Sequence, residues 1–296
     1  MSSYSELTFN SQGVQCEAAL FMPQGNPSAT VICAPGFGAL WQFGNSTAIT
    51  AFQKAGYAIF AFNYRGFGDS EGQPRQFINP TEQLKDWLAA INYVKTLGAV
   101  SKNIVLWGSS LSGGHVLSAA ATVDGVNAVL AQVPHCSSRS AMQGANKVKL
   151  FATVMHALVD KLASVVGLRH RIAIVGDEHD GACGLSYPGW KKAYLSIVDD
   201  TANWQNAIPA SSLLTAGNYN PIDTAEKINC PVFIAYGDKD RGILMSDVEA
   251  TAAKITQCEL WKFQGDHFDC YDNGKVNRQC IDKQLVFLSN LLSPKF

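Results

Sequence analysis

The chain has 296 residues, of which 47% are hydrophobic and only 16% are charged, against roughly 25% charged residues in an average soluble protein. Lysine and arginine (23) nearly balance aspartate and glutamate (24), so the composition excludes both a disordered chain and a strongly basic nucleic-acid binder. The shortage of charge favours buried surface beyond an ordinary core, such as an apolar pocket or the interface of a homodimer.

Several features favour a cytoplasmic protein. Residues 1–10 lack the charged start and the apolar run of a signal peptide, and no segment approaches the roughly 20 apolar residues that span a bilayer. The eight cysteines are scattered through apolar segments, without a CxxC pair or a Cys/His cluster of zinc spacing. We therefore expect free thiols, no bound metal and no cofactor.

Short apolar runs alternate with helical patterns along most of the chain. Residues 5–9 and 14–21 indicate an antiparallel hairpin. Six near-continuous apolar runs, typical of parallel strands covered on both faces, follow at 29–33, 57–62, 103–107, 126–133, 231–236 and 258–263. Helical patterns occur at 46–55, 80–97, 111–121, 246–255 and 278–292. The alternation predicts an α/β fold with a mostly parallel, twisted sheet of about eight strands.

One segment interrupts this alternation after the sixth strand. Large apolar residues recur at helical spacing between 148 and 165, and a second helical pattern occurs at 190–199. We interpret residues 135–229 as a helical lid subdomain, carried by a core that residues 1–134 and 230–296 form.

The lid is expected to roof an apolar substrate pocket, because it follows a strand whose end should face the catalytic site. His135, at its start, and Met155 and Leu158, on its first helix, are the candidate substrate contacts. The apolar side chains of that helix could equally fill the lid core or meet a second subunit.

The segment GSSLSGG at 108–114 directly follows the predicted strand at 103–107 and precedes an apolar helix. It is a version of the nucleophile elbow G-x-S-x-G, with serine at the last small position. Small residues are needed there because the strained turn brings its neighbours close together. Ser110 and Ser112 both have small residues two positions before and after them. Ser110 is favoured, because Ser112 would lie inside the first helical turn.

A serine hydroxyl needs a base to take its proton. Of the six histidines, His267 follows the final strand, where the ends of parallel strands would bring it beside the elbow. Asp238 and Asp240 both follow the strand at 231–236 and could orient that base. Asp240, further round the loop, is favoured, because Asp238 can equally cap the turn.

The oxyanion that develops in acyl transfer needs N–H donors. The backbone N–H of Leu111 follows the nucleophile directly, at the start of a helix. The second donor is expected from the loop APGFG at 34–38, where we assign the N–H of Phe37. A plain Pro-Gly turn is the alternative interpretation of that loop.

Together these pieces resemble the α/β-hydrolase superfamily over essentially the whole chain, including its order of nucleophile, acid and histidine. Residues 63–72 (NYRGFGDSEG) resemble the structural loop after the fourth strand of these enzymes. More narrowly, WGSSLSGGHV at 107–116 with QVP at 132–134 is similar to a branch that includes bacterial α/β-hydrolases and fungal polyketide thiohydrolases and transferases. The resemblance implies an α/β-hydrolase fold, with Ser112 departing from the usual glycine.

Two kinds of enzyme fit these residues. The first is a serine hydrolase that cleaves an ester or thioester of an apolar, polyketide-like acyl substrate through an acyl-enzyme on Ser110. The second is an acyltransferase that passes the same acyl group to an alcohol. A carbon–carbon bond hydrolase is a further alternative, because the fold does not determine the reaction.

Overall fold

The computed structural model describes residues 3–143, 147–177 and 179–292. Within these ranges the chain forms eleven strands: β1 (Ser5–Ser11), β2 (Val14–Phe21), β3 (Thr30–Ala34), β4 (Ala58–Phe62), β5 (Ile104–Ser109), β6 (Val126–Gln132), β7 (Arg171–Val175), β8 (Cys183–Leu185), β9 (Ile208–Pro209), β10 (Val232–Gly237) and β11 (Cys258–Phe263). The α-helices of the same ranges are α1 (Ser46–Lys54), α2 (Pro80–Thr96), α3 (Leu111–Ala120), α4 (Ser138–Gln143), α5 (Lys147–Ser164), α6 (Trp190–Leu195), α7 (Ser212–Ala216), α8 (Met245–Lys254) and α9 (Asn277–Leu292).

Eight of the strands form one sheet in the order β1-β2-β4-β3-β5-β6-β10-β11. β1 pairs antiparallel with β2, β2 pairs antiparallel with β4, and all the remaining neighbours are parallel. Every residue of β3, β4 and β5 is buried, as near-continuous apolar strands require when both faces of a sheet are covered. The predicted mostly parallel sheet of about eight strands is confirmed.

Each face of the sheet contributes to its own apolar cluster. Ile32 of β3 packs in a cluster with Trp87 of α2, whereas its neighbour Val31 belongs to a cluster on the other face with Phe52 of α1. This alternation follows from the two-residue period of a strand. Because the central strands are parallel, the loops that follow β3, β5, β6, β10 and β11 all lie at one edge of the sheet, where open α/β sheets bind their ligands.

The start of α2 shows how the sequence sets a helix end. Asn79 precedes the helix, and its side-chain oxygen accepts hydrogen bonds from the N–H groups of Thr81 and Glu82. Pro80 occupies the first helical position, where no N–H is needed. No helix in the described ranges is both long and apolar enough to cross a membrane.

Residues 135–229, here called the insertion, lie between β6 and β10. The sequence pattern predicts a helical insertion, but α4 to α7 are accompanied by a second small sheet in the order β8-β7-β9. Two of its strands, β8 and β9, are only three and two residues long, too short to produce a periodic signal. The predicted helix at 190–199 is shorter in the structure, where α6 ends at Leu195.

A buried polar network connects the insertion to α2 and α3. His115 of α3 is fully buried, with Nε2 3.2 Å from Gln83 Oε1 and Nδ1 2.8 Å from the Tyr219 hydroxyl. Since the Gln83 oxygen can only accept, Nε2 carries the ring proton and Nδ1 accepts from Tyr219. Ser118 Oγ, 2.9 Å from the same hydroxyl, completes the network. The arrangement requires a neutral imidazole.

We expect His115 to make folding sensitive to acid. Burial lowers the pKa of His115 from 6.5 to about 3, so between these values the unfolded chain binds a proton that the folded chain does not. The contribution of His115 to the free energy of unfolding should therefore be fully present above pH 6.5. It should fall between pH 6.5 and pH 3, by at most about 1.4 kcal/mol per pH unit. Urea unfolding at a series of pH values should show that the free energy of unfolding decreases less steeply towards acid pH in His115→Gln than in the wild type. His179→Gln, which changes an exposed histidine, is the control, and equal slopes in both variants would contradict the assignment.

Candidate active site

Ser110 forms the turn between β5 and α3. β5 ends directly before it and α3 begins directly after it, and its backbone has φ 58° and ψ −123°. A positive φ is strained for a residue with a side chain, so the surroundings must hold it. A Cβ atom at Gly108 would lie 2.2 Å from the Ser112 carbonyl oxygen, and one at Gly36 would lie 3.0 Å from Ser110 Cβ. Glycine at both positions lets the backbone close around the turn.

Ser112, the alternative nucleophile, lies inside α3 and is fully buried. Its hydroxyl is 3.0 Å from the hydroxyl of Tyr64, which also accepts a hydrogen bond from Trp87 Nε1 at 3.0 Å. These contacts face the packed interior, so the geometry favours Ser110. The hydroxyl at this position, where the usual pattern has glycine, binds Tyr64 and so fixes the first turn of α3 to the loop after β4.

His267 and Asp240 form a buried pair. His267 Nδ1 lies 2.7 Å from Asp240 Oδ2, and the two side chains are 3% and 2% exposed. The other oxygen of Asp240 accepts hydrogen bonds from the N–H groups of Gly242 and Ile243. Because the carboxylate only accepts, Nδ1 of the neutral ring carries the proton, and Nε2 is left as the basic nitrogen.

The other aspartates near His267 have structural roles. Asp238 Oδ1 accepts a hydrogen bond from the N–H of Gly265 and so joins the loops after β10 and β11. Asp266 and Asp269 form a reciprocal capping box around the short helical turn that carries His267. Asp240, and not Asp238, is therefore the carboxylate in contact with the imidazole.

Four groups at the site have no hydrogen-bond partner in the described part of the chain: Ser110 Oγ, His267 Nε2 and the N–H groups of Phe37 and Leu111. The direct bond between Ser110 and His267 is therefore not formed. In enzymes without substrate such bonds are often long and tighten when substrate binds.

All four of these residues line one cavity of about 240 Å³. The core contributes Ser110, Leu111, His267 and Phe37, while most of the wall comes from the insertion. The residues of the insertion that line the cavity are mainly apolar or aromatic: His135, Ser138, Met142, Gly184, Leu185, Tyr187, Trp190, Leu213, Ala216 and Gly217.

The three predicted substrate contacts have different positions. His135 lines the cavity. Met155 and Leu158 do not, and each is 44% exposed on the outer side of α5. The inner side of that helix carries Ala157 and Asp160, which are completely buried. Met155 and Leu158 therefore face away from the protein, and not towards the cavity as the sequence interpretation assumed. The structure does not support these two residues as substrate contacts.

The hydrogen bonds of His135 determine which ring nitrogen carries its proton. Nε2 lies 2.9 Å from Ser138 Oγ and 3.3 Å from the carbonyl oxygen of Tyr219. Ser138 donates its own proton to the carbonyl of Ala216 at 2.7 Å, so towards His135 it must accept. Both neighbours of Nε2 are thus acceptors, and Nε2 bears the hydrogen. Burial lowers the pKa of His135, so the ring is neutral and Nδ1 is an acceptor.

Three aromatic residues of the insertion contact the site, and the sequence analysis did not assign them. The ring of Trp190 lies 4.7 Å from that of His267. The Tyr194 hydroxyl donates to the carbonyl of Phe37 at 2.9 Å, and Trp204 Nε1 donates to the carbonyl of Gly38 at 2.7 Å. The loop that carries the Phe37 N–H is therefore held by the insertion. The one sequence signal was the pair of aromatics four residues apart at 190 and 194, which lie on one side of a helix.

The arrangement provides a serine hydroxyl at a strained turn, an imidazole bound by a carboxylate, and two backbone N–H groups without partners among the described residues. These are the parts that acyl transfer requires. In the portion of the chain that the structure describes, no cluster of three or more His, Cys, Asp or Glu residues could hold a metal ion.

Comparison with known proteins agrees with this geometry. The sequence matches the alpha/beta hydrolase fold family over residues 29–274. The quorum-quenching protein AidA of Acinetobacter baumannii is 29% identical over 292 residues, which cover 98% of this chain and 96% of AidA. The thiohydrolase aneE of Aspergillus aculeatus is 31% identical over 134 residues, 45% of this chain and 42% of its own.

Solved structures show the same fold over the whole chain. DcsB in complex with its substrate analogue superposes with a TM-score of 0.85 at 19% identity and covers 99% of this chain and 100% of that one. The alpha/beta hydrolase GrgF from Penicillium has a TM-score of 0.81 at 21% identity, with the same coverage. With the family match spanning most of the sequence, this chain belongs to the α/β-hydrolase family.

Proposed function

We propose that the protein is a serine hydrolase that cleaves an ester or thioester of an apolar acyl substrate through an acyl-enzyme on Ser110. The proposal rests on one observation: Ser110 and His267 line the same cavity. Ser110 lies at a strained turn, and Asp240 binds His267 at Nδ1. The similarity to a thiohydrolase supports the thioester option.

The reaction follows from these groups. Ser110 Oγ attacks the carbonyl carbon of the substrate while His267 Nε2 takes the hydroxyl proton. The carbonyl oxygen becomes an oxyanion that accepts from the N–H groups of Phe37 and Leu111. When the tetrahedral intermediate collapses, the bond to the alcohol or thiol breaks, and His267 returns the proton to that leaving group. A water molecule then repeats the sequence on the acyl-enzyme and releases the acid and free Ser110.

The insertion is proposed to act as the lid of this pocket. It supplies most of the cavity lining, and through Tyr194 and Trp204 it holds the loop that carries one oxyanion donor. A volume of about 240 Å³ is below the roughly 300–1,000 Å³ that is usual for drug-sized ligands. The pocket therefore suits an acyl group of small to moderate size.

Hydrolysis is favoured over transfer to an alcohol by a second, smaller cavity. It has a volume of about 20 Å³ and borders Ser110 and His267 on the side of Tyr271 and Asn45. A space of this size is sufficient for one water molecule, which needs at least about 10–15 Å³. An alcohol with a carbon chain would not fit into this smaller cavity.

His135 is proposed to bind the substrate. Its Nε2 is committed to Ser138 and Tyr219, and its Nδ1 has no partner among the described residues. An acceptor in the wall of an apolar pocket is best satisfied by a donor on the ligand. We therefore expect the acyl chain to carry a hydroxyl or N–H group that reaches Nδ1.

Ser110→Ala should abolish turnover of p-nitrophenyl esters and acyl thioesters and prevent labelling by an organophosphonate. The expected loss in kcat is several orders of magnitude, because the nucleophile is removed while the fold is unchanged. Ser112→Ala is the matched control and should still be labelled, since among the described residues the Ser112 hydroxyl hydrogen-bonds only to Tyr64. Labelling that survives in Ser110→Ala and disappears in Ser112→Ala would mean that Ser112 is the nucleophile.

Asp240→Asn should lower kcat by about three to four orders of magnitude with little change in KM, because the amide no longer fixes the tautomer or stabilises the imidazolium. Asp238→Asn should be nearly silent, since the amide oxygen can still accept from the N–H of Gly265. Steady-state kinetics on both variants makes the comparison. A normal kcat in Asp240→Asn would disprove its role as the orienting carboxylate.

His135→Gln should distinguish substrates by their polar groups. The glutamine amide retains a donor near the Nε2 position but offers no acceptor at the Nδ1 position. We expect kcat/KM to fall about five- to tenfold for a hydroxylated acyl ester and to stay unchanged for its unsubstituted counterpart, as the loss of about 1 kcal/mol predicts. An equal effect on both substrates would show that His135 supports only the structure of the wall.

A further inference from the structure

Helix α5 has its polar side towards the protein. Asp160 is completely buried and accepts hydrogen bonds from the N–H of His170 and from both the N–H and the hydroxyl of Ser211. Arg169 lies 3.6 Å from the same carboxylate. A buried carboxylate with several donors cannot leave its site without a large cost, so these contacts fix the rotation of the helix about its axis.

The fixed rotation leaves the apolar side of the segment facing outwards. Five large apolar residues lie along it and are between 44% and 82% exposed: Phe151, Met155, Leu158, Leu162 and, directly after the helix, Val165. Their spacing is four, three, four and three residues. This is the heptad spacing by which one helix packs along another.

The exposed area is large enough for a stable interface. Val159, Val166 and Leu168 extend the same stripe and are also exposed. Eight side chains of this size, each roughly half to four-fifths exposed, offer on the order of 800 Å² of apolar surface, close to what each partner buries in a standard protein interface. Monomeric proteins rarely expose a continuous apolar patch of this extent.

We infer that the apolar side of α5 is the contact between two copies of this chain, in which the two α5 helices pack antiparallel about a twofold axis. A heptad stripe is complementary to a second copy of itself, as a twofold interface requires. In this arrangement Phe151 of one copy packs on Leu162 of the other, and Met155 packs on Leu158. Each of these two residue pairs occurs twice, once on each side of the twofold axis.

A membrane surface fits the stripe less well. A helix that binds a lipid surface needs apolar side chains but no heptad register, and it exposes a polar face rich in lysine and arginine to water. In α5 the acidic Asp160 is instead buried and bound by His170 and Ser211, and among the described side chains of the helix Lys161 is the one exposed basic residue. The low charge fraction of the whole chain also agrees with a dimer, since charged residues are depleted in the centre of interfaces.

The dimer contact lies directly behind the roof of the catalytic cavity. α5 packs on α7, and Leu213 and Ala216 of α7 line the cavity. In such a dimer the two insertions would support each other through the helices that back their cavities.

Charge substitutions and analytical ultracentrifugation test the contact and its register. The wild-type protein should sediment as a dimer that dissociates on dilution, whereas Leu162→Glu and Phe151→Lys should each be monomeric. The double variant Phe151→Lys/Leu162→Glu should regain the dimer, because each new charge then faces its opposite in the second copy. Val286→Glu, which changes a residue of α9 that is 56% exposed, is the control and should remain dimeric.

All three substituted side chains are already exposed, so the far-UV circular dichroism of every variant should match the wild type. A wild-type protein that is monomeric up to its solubility limit would overturn the inference. So would dimers that persist in both single variants, or a double variant that stays monomeric. Binding of a monomeric wild type to phosphatidylcholine or phosphatidylglycerol vesicles would assign the stripe to a membrane instead.

Discussion

The strained turn at Ser110 depends on how closely the backbone can pack around it. Gly36, after β3, lies against Ser110, Gly108 of β5 lies against Ser112 in the first turn of α3, and the carbonyl of Gln132 of β6 accepts the N–H of Ser110 at 2.9 Å. The carbonyl of Ser110 in turn accepts the N–H of His135. A positive φ at a serine persists only where the surrounding structure over-determines it. Ser110 is thus positioned by the order of the strands and not by a flexible loop.

The hydrogen bonds of the site determine which ring nitrogen carries the hydrogen in each neutral histidine. Asp240 is surrounded by donors and remains an acceptor, so His267 must carry its hydrogen on Nδ1. Ser138 donates to Ala216, so His135 must carry its hydrogen on Nε2. The two histidines of the cavity therefore present opposite nitrogens as acceptors, and burial keeps the second of them neutral. Two residues of the same type are thus distinguished by their neighbours.

Much of the fold and of the central site could be predicted from the sequence, because those parts are local or follow from strand order. The apolar runs of β3 to β6 and the GSSLSGG turn are patterns contained in a few consecutive residues. The loops that follow parallel strands necessarily meet at one edge of the sheet. The insertion could not be predicted in the same way. The rotation of α5 depends on two groups outside the helix. One is Ser211, which is distant in sequence, and the other is the backbone N–H of His170. Periodicity located its apolar stripe but could not say whether that stripe faces the core. The contacts of Tyr194 and Trp204 with the Phe37–Gly38 loop span more than 150 residues and leave no pattern in a single sequence.

Those two contacts also limit how the protein can be re-engineered. The lids of α/β-hydrolases look like separate modules that could be exchanged to change specificity. Here the insertion provides the hydroxyl and the indole N–H that fix the loop beside the nucleophile, so a foreign lid would remove supports from the core as well as replace the pocket wall. A successful chimera must either transplant Tyr194 and Trp204 together with the segments that carry them, α6 and the chain that follows it, or redesign the 35–38 loop to hold its own shape.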